Sequence, residues 1–219
     1  MMFTMSQLLD LSHSAAGAYL CGFAYPWQAL DGIHALIIKL GSELGEDYTQ
    51  VSPQVWVHRS AVIAPTAYLG SPCIIGPETE VRHCAFIRGS ALIGRGCVIG
   101  NSTEIKNAIL FDQVQVPHFN YVGDSILGYC AHMGAGAVTS NVKSDKSPVR
   151  TALEGQSYET GRVKFGAVLA DHVEVGCNCV LNPGTIVGRC TSIYPTSCVR
   201  GFVPADSIFK CSGQIIRKI

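Results

Sequence analysis

Aliphatic side chains return at every sixth residue: Val51, Val57, Ile63, Leu69, Ile75, Val81, Ile87, Ile93, Ile99, Ile105 and Phe111. A period of six matches neither the helical 3.6 nor plain strand alternation. It requires a short strand and a turn that recur together, as in a parallel β-helix. Four residues after each anchor stands a second, mostly small residue: Val55, Ala61, Ala67, Cys73, Thr79, Ala85, Ala91, Cys97 and Thr103. Side chains two or four apart share a strand face, so both sets point inward. Gly70, Gly76, Gly94 and Gly100 directly follow their anchors, where a tight corner favours glycine's freedom at positive φ. The rhythm returns at Val163, Leu169, Val175, Leu181, Val187, Ile193 and Val199, with Ala167, Val173, Cys179, Thr185 and Ser197 four residues on. One register rule in two blocks predicts one all-β solenoid.

Before Tyr48 the rhythm is absent. Leu30, Ile33, His34, Ile37, Ile38 and Leu40 are spaced for a helix, with Asp31 near its start and Gly41 as its stop. Residues 1–48 are therefore expected to form a small helical cap over the solenoid's open end, whose unpaired edges need covering. Residues 49–219 form the β-helix domain, with a protruding loop at 141–162 where Lys143, Ser144, Asp145, Lys146, Ser147, Pro148 and the Glu154-Gly155 pair break the repeat. Loops of that length inside a compact domain are often functional.

Sixteen basic residues balance sixteen acidic ones, a neutrality that favours neither nucleic acid nor an anionic membrane as partner. No apolar run approaches the roughly 18 residues of a membrane span; the stretch from Ala15 to Trp27 is broken by glycines, tyrosines and Pro26. No basic residue precedes Asp10, which argues against a signal peptide. The ten cysteines lack paired spacing, and three of them occupy inward positions; they read as reduced core residues of a cytoplasmic protein. With no C-x-x-C and no histidine–cysteine cluster at zinc spacing, no metal is predicted.

The strict period survives to Pro117 and then compresses, with Val122 and Leu127 as the next anchors at spacings of five, before Met133 and Thr139 restore six. Sequence rules tend to fail at functional sites. The failure puts His118 and Tyr121 three residues apart, beside Pro117. His118 is the candidate acid or base, since an imidazole titrates near neutrality, and a purely structural histidine is the alternative. If three six-residue rungs complete one coil, residues eighteen apart stack at about 4.8 Å. Arg88 and Lys106 then share one outward column, either as a phosphate clamp or as an ion-pair ladder with Glu104 and Asp124. The stretch His132-Met133-Gly134-Ala135-Gly136 leaves an open backbone whose amides can hold an oxyanion.

Three segments carry a family resemblance: Glu104-Ile105-Lys106, the run His118-Phe119-Asn120-Tyr121-Val122-Gly123-Asp124, and the run Met133-Gly134-Ala135-Gly136-Ala137-Val138-Thr139-Ser140-Asn141. From about residue 51 to 203 the chain resembles the left-handed β-helix hexapeptide transferases. More narrowly it is similar to the acetyltransferase domain of bifunctional sugar-1-phosphate nucleotidyltransferase/acetyltransferases such as the N-acetylglucosamine-1-phosphate uridyltransferases. The resemblance implies a homotrimer with sites between subunits, acetyl-CoA as donor, and the amine of a hexosamine 1-phosphate or related amino sugar as acceptor. It makes His118 the general base, Tyr121 and Asn141 the residues that orient the sugar, and Arg88, Lys106 and Lys146 the cations on the phosphate side. It makes the Ala135 amide the oxyanion donor, and Cys177 and Pro195 coenzyme A contacts. His132 stands where asparagine is common, so the acyl-orienting contact or the acceptor differs. No glycine-rich nucleotide loop precedes the solenoid, so pyrophosphorylase activity is not expected. Two other functions fit the residues: a noncatalytic solenoid that binds a nucleotide sugar or a partner protein, and a carbonic-anhydrase-like metalloenzyme, for which His118 and His132 lack a third histidine.

Overall fold

The computed structural model describes residues 4–153 and 156–218, so Glu154 and Gly155 lie outside the described residues. From Val55 the chain winds as a left-handed parallel β-helix of about eight turns. Each turn contributes one short strand to each of three walls. The first wall stacks 55–58, 73–75, 91–93, 108–110, 125–127, 167–169, 185–187 and 202–203. The second stacks 62–63, 80–81, 98–101, 115–118, 132–133, 174–175, 192–193 and 207–209. The third stacks 68–69, 86–87, 104–105, 121–122, 138–139, 180–181 and 198–199. Inward anchors such as Ile75, Ile87, Ile93, Ile99 and Ile105 are fully buried, each contributing about 1.5–3 kcal/mol by removing apolar surface from water.

The corners explain the six-residue period. Glu78, Cys84, Ser90, Ser102, Asn107, Gln113, Phe119, Asp124 and Cys130 all have φ between 47° and 62°. Such left-handed residues cost about 1–3 kcal/mol each unless the surroundings enforce them; here the ladders on both sides do. Gly96 and Gly136 take two further corners at φ 62° and 72°. From Glu78 to Gly136, corner residues are six apart except from Ser102 to Asn107 and from Phe119 to Asp124, which are five apart. The compression is therefore not a single event after Pro117. It consists of two shortened corners, stacked one above the other, so that Ile93 pairs with Leu110 and Leu110 with Leu127. The anchor expected at Phe111 is Leu110, although Phe111 is itself buried. Gly76 and Gly100 do not have positive φ. They admit the next coil instead, since a Cβ would lie 2.4 Å from the Gly94 oxygen and 1.5 Å from the Pro117 oxygen.

The N-terminal residues are helical but do not cover an end of the solenoid. A 3-10 helix, Pro26–Gly32, runs into an α-helix, Ile33–Glu43. The buried face Ile33, Leu36, Ile37 and Gly41 follows helical spacing. Gly41 is not the stop: the helix passes through it, and a Cβ there would lie 2.4 Å from the Trp56 ring. This segment lies along the first wall. His34 Nδ1 meets Ser90 Oγ at 3.2 Å, the Asn107 amide donates to the Leu30 carbonyl at 3.4 Å, and Asp10 N–H donates to Asp171 at 2.7 Å. Under it lie Ile74, Leu92, Ile109 and Ile126, which point outward from their strands yet are at most 4% exposed; Val168 and Ile186, further along the same wall, are buried as well. The ends of the solenoid are closed by antiparallel strands. Tyr48–Ser52 pairs with Val55–His58 at one end, and Ile215–Arg217 with Ser207–Phe209 at the other. Val51 sits in the first of these strands, exposed, and is not an anchor.

The break in the repeat opens after Asn141 and closes at Phe165, whose N–H donates to the Asn141 carbonyl at 2.9 Å. Its arm is a hairpin of Arg150–Leu153 with Gln156–Glu159. Rather than protruding, the hairpin folds back over the later coils, close enough to Gly184 that a Cβ there would lie 2.8 Å from the Arg150 oxygen. Tyr158 packs on Tyr25, and Arg162 pairs with Asp31. Val163 belongs to this arm and is exposed, so the second block of anchors begins at Leu169.

Candidate active site

The corner between the second and third walls carries a column. His118 ends the strand Gln115–His118, its carbonyl accepts from Gly136 N–H at 3.0 Å, the Ala135 carbonyl accepts from Asn178 N–H at 2.8 Å, and the Cys177 carbonyl accepts from Thr196 N–H at 2.8 Å. His118, Ala135, Cys177 and Pro195 thus stand one coil above another. Close approach maintains the column: a Cβ at Gly134 would lie 2.7 Å from Cys177 N, and one at Gly176 would lie 2.5 Å from Pro195 N. The His118 side chain is exposed, and among the described residues its imidazole makes no hydrogen bond. Its backbone is held instead, with His118 N–H donating to Asn120 Oδ1 at 3.1 Å, while the Asn120 amide donates to the Gly134 and Ala137 carbonyls. Phe119, at the left-handed corner beside it, is 61% exposed.

The corner between the third and first walls carries a second group, built where the coil is shortened. Asp124 is 3% exposed. Its carboxylate accepts from Lys106 Nζ at 3.1 Å, from Asn107 Nδ2 at 2.9 Å and from Asn141 Nδ2. A buried carboxylate needs such donors, because losing hydration without replacement costs several kcal/mol. Asn141 Nδ2 also reaches the Tyr121 hydroxyl at 3.2 Å. Burial, and then the charges of Asp124 and Glu104, raise the Tyr121 pKa, so at neutral pH the phenol keeps its proton to donate. Arg88 pairs with Glu104 at 2.7 Å, and that hydrogen bond and charge raise its pKa. Arg88 and Lys106 do share one outward corner, and both are engaged with carboxylates.

Several predicted site residues therefore assemble: His118 with Ala135, Cys177 and Pro195 at one corner, and Arg88, Lys106, Tyr121 and Asn141 at the next. One wall separates the two groups, about 18 Å at most for five extended residues. His132 joins neither. It faces outward from the second wall, with Nδ1 2.8 Å from Glu174 Oε2, because its place in the strand His132–Met133 aims it away from both corners. Lys146 occupies an exposed turn of the arm, at φ 55°, without contact to Arg88 or Lys106. Sequence reasoning reached Asp124 only as an ion-pair partner; its role as the acceptor that gathers Lys106, Asn107 and Asn141 depends on the shortened corner. Among the described residues no group of three His, Cys, Asp or Glu is placed to hold a metal, and no helix is long and apolar enough to cross a membrane.

Fold and corners together define a hexapeptide-type β-helix. Residues 71–189 match the GMPPB C-terminal domain family, and the chain belongs to it. It is 32% identical over 105 residues to a bifunctional sugar-1-phosphate nucleotidylyltransferase/acetyltransferase of Sulfurisphaera tokodaii, covering 48% of this chain and 26% of that one. It is 29% identical over 199 residues to the bifunctional protein GlmU of Methanococcus maripaludis, covering 89% of this chain and 48% of the relative. The chain thus spans half or less of the length of these relatives. Among solved structures, a mutant of AntD, an N-acyltransferase from Bacillus cereus, in complex with dTDP and coenzyme A, aligns with TM-score 0.40 at 18% identity over 72% of this chain and 83% of that one. A mutant of perosamine N-acetyltransferase from Caulobacter crescentus, in complex with CoA and GDP-perosamine, aligns with TM-score 0.36 at 16% identity, covering 73% and 55%.

Proposed function

We propose that the chain is a CoA-dependent acyltransferase that moves an acetyl group from acetyl-CoA to the amine of an amino-sugar phosphate. The observation that carries this reading is the column His118, Ala135, Cys177 and Pro195, which sets an unpartnered imidazole at the foot of an open, extended corner. Its residue types suit the chemistry. An amine attacking a thioester carbonyl must lose a proton, and a neutral imidazole accepts it. The tetrahedral intermediate carries an oxyanion, and the Ala135 amide, which donates no backbone hydrogen bond among the described residues, stabilises it as in other preorganised sites. Collapse of the intermediate breaks the carbon–sulfur bond and expels the CoA thiolate, to which His118 returns the proton taken from the amine, giving the free thiol. Tyr121 and Asn141 orient the sugar, and Cys177 and Pro195 contact the pantetheine arm.

A second copy of the chain completes the site, because His118 and the Asn141 corner lie on opposite edges of the third wall. That wall leaves Tyr68, Phe86 and Val180 exposed in one column, the apolar surface a symmetric homotrimer would cover. A thiol-release assay with acetyl-CoA and glucosamine 1-phosphate, with other amino-sugar phosphates as further acceptors, tests the reading. Ligand binding without turnover on every amino sugar would replace it with a noncatalytic sugar-phosphate binder, and full activity in His118→Ala would remove His118 as the base.

A further inference from the structure

The two stacked cations that sequence spacing offers as a phosphate clamp are already neutralised, Arg88 by Glu104 at 2.7 Å and Lys106 by buried Asp124 at 3.1 Å. Their column continues up the same corner. Asn182 and Arg200 directly follow the anchors Leu181 and Val199, which pair in register. The Arg200 guanidinium meets no carboxylate among the described residues; its recorded partner is the neutral Asn182 Oδ1 at 3.4 Å. The hairpin arm folds over this end and encloses a cleft of about 550 Å³ lined by Lys143, Asp145, Arg150, Thr151, Asn182 and Arg200 among others. Three cations face one carboxylate there. Lys143 is shared with Asp145 at 3.5 Å, and Arg150 pairs with Glu159, so Arg200 holds the free charge.

An independent observation points to a ligand. Thr151 is 2% exposed, lines the cleft, and its Oγ1 has no hydrogen-bond partner among the described residues. A buried hydroxyl without a partner is costly and uncommon in a folded chain. It is balanced when a bound group supplies the missing bond. We infer that this cleft is an anion subsite that takes a phosphate or diphosphate group, with Arg200 as the principal donor and Lys143, Asn182 and Thr151 completing the shell. The planar guanidinium suits bidentate contact with phosphate oxygens, and the volume falls in the range of small-molecule sites. Only the choice of ligand rests on the acyl-transfer reading: the group belongs either to the CoA donor or to the phosphorylated sugar.

Titration of the full chain with inorganic pyrophosphate, followed by calorimetry, tests the inference without any turnover. Binding is expected to weaken about tenfold or more in Arg200→Gln and to be unchanged in Arg59→Gln, whose partner Asp47 lies at the far end of the solenoid. Equal affinity in wild type and Arg200→Gln overturns it. Thr151→Val separates a ligand role from a structural one: removing an unpaired hydroxyl is expected to raise the melting temperature while pyrophosphate binding weakens, and unweakened binding in that variant overturns the assignment of Thr151. Displacement of pyrophosphate by CoA assigns the subsite to the donor, and displacement by glucosamine 1-phosphate assigns it to the acceptor. Displacement by neither removes the cleft from the transfer site. Absence of thiol release with pyrophosphate binding intact would defeat the proposed reaction and leave the subsite standing.

Discussion

The first and third walls are built by the same repeat and end in opposite surfaces. Outward residues of the first wall are aliphatic, from Ile74 to Ile186, and the chain's own N-terminal helices bury those from Ile74 to Ile126. Outward residues of the third wall include Tyr68, Phe86, Glu104, Tyr121 and Val180; the described residues leave them open or half-open. A hexapeptide coil fixes which side chains face inward, and leaves the outward position free for either packing or chemistry. Here one wall spends it on stability, while the edges of the other carry the candidate site.

The contrast breaks most sharply at His118. His118→Ala is expected to lower kcat by about 100- to 10,000-fold with little change in melting temperature, because the side chain is exposed and unpartnered. A large loss of stability in that variant would move His118 from chemistry to structure. Ile126→Ala, on the covered wall, should do the reverse: about 2–5 kcal/mol of stability lost in denaturant unfolding, with kcat retained in the folded fraction. Asp124→Asn keeps the shape of the corner and removes the charge that Lys106 faces. About 1–3 kcal/mol of stability should go with it, together with a raised KM for the acceptor.

Thiols sharpen the inside–outside contrast further. Burial pushes the Cys73 and Cys97 thiols from 9.0 to about 12. The folded chain then holds two protons that the unfolded chain releases above pH 9, so stability is fully present below that pH and is lost as pH rises from 9 towards 12. Urea midpoints measured across that range should fall, and a maleimide should label Cys190, exposed at a corner away from the third wall, while sparing Cys73. The smallest expected effect is Phe86→Ser. On an open wall it should change unfolding free energy by no more than about 0.5 kcal/mol, and weaken self-association measured by light scattering. Destabilisation comparable to Ile126→Ala would show that the two walls are not different in kind.

Much of this was legible from residue order. The inward anchors Ile75 to Ile105 and the small partners Cys73, Cys97 and Cys179 are buried as the spacing requires, because a two-residue strand period and a fixed corner leave each side chain one direction. The helix over Ile33–Glu43 followed from its apolar spacing, but its site did not. The covered first wall reads in sequence as a run of aliphatics such as Cys73-Ile74-Ile75, and that run fits inward burial as well as burial under a helix. His132 and Lys146 illustrate the same limit. Both lie in segments that resemble the family, and the coil turns one outward from the second wall while the arm lifts the other to an exposed turn.

What the sequence by itself determined was the periodic part: the solenoid, its core, and the corner at which His118 stands, since local spacing dictates local direction. Tertiary structure alone decided where the N-terminal helices lie, that Asp124 gathers Lys106, Asn107 and Asn141, and that the arm closes a cleft over Arg200. Those contacts join residues 17 to more than 70 positions apart, and their geometry depends on two coils being one residue short, a difference that only stacking converts into position.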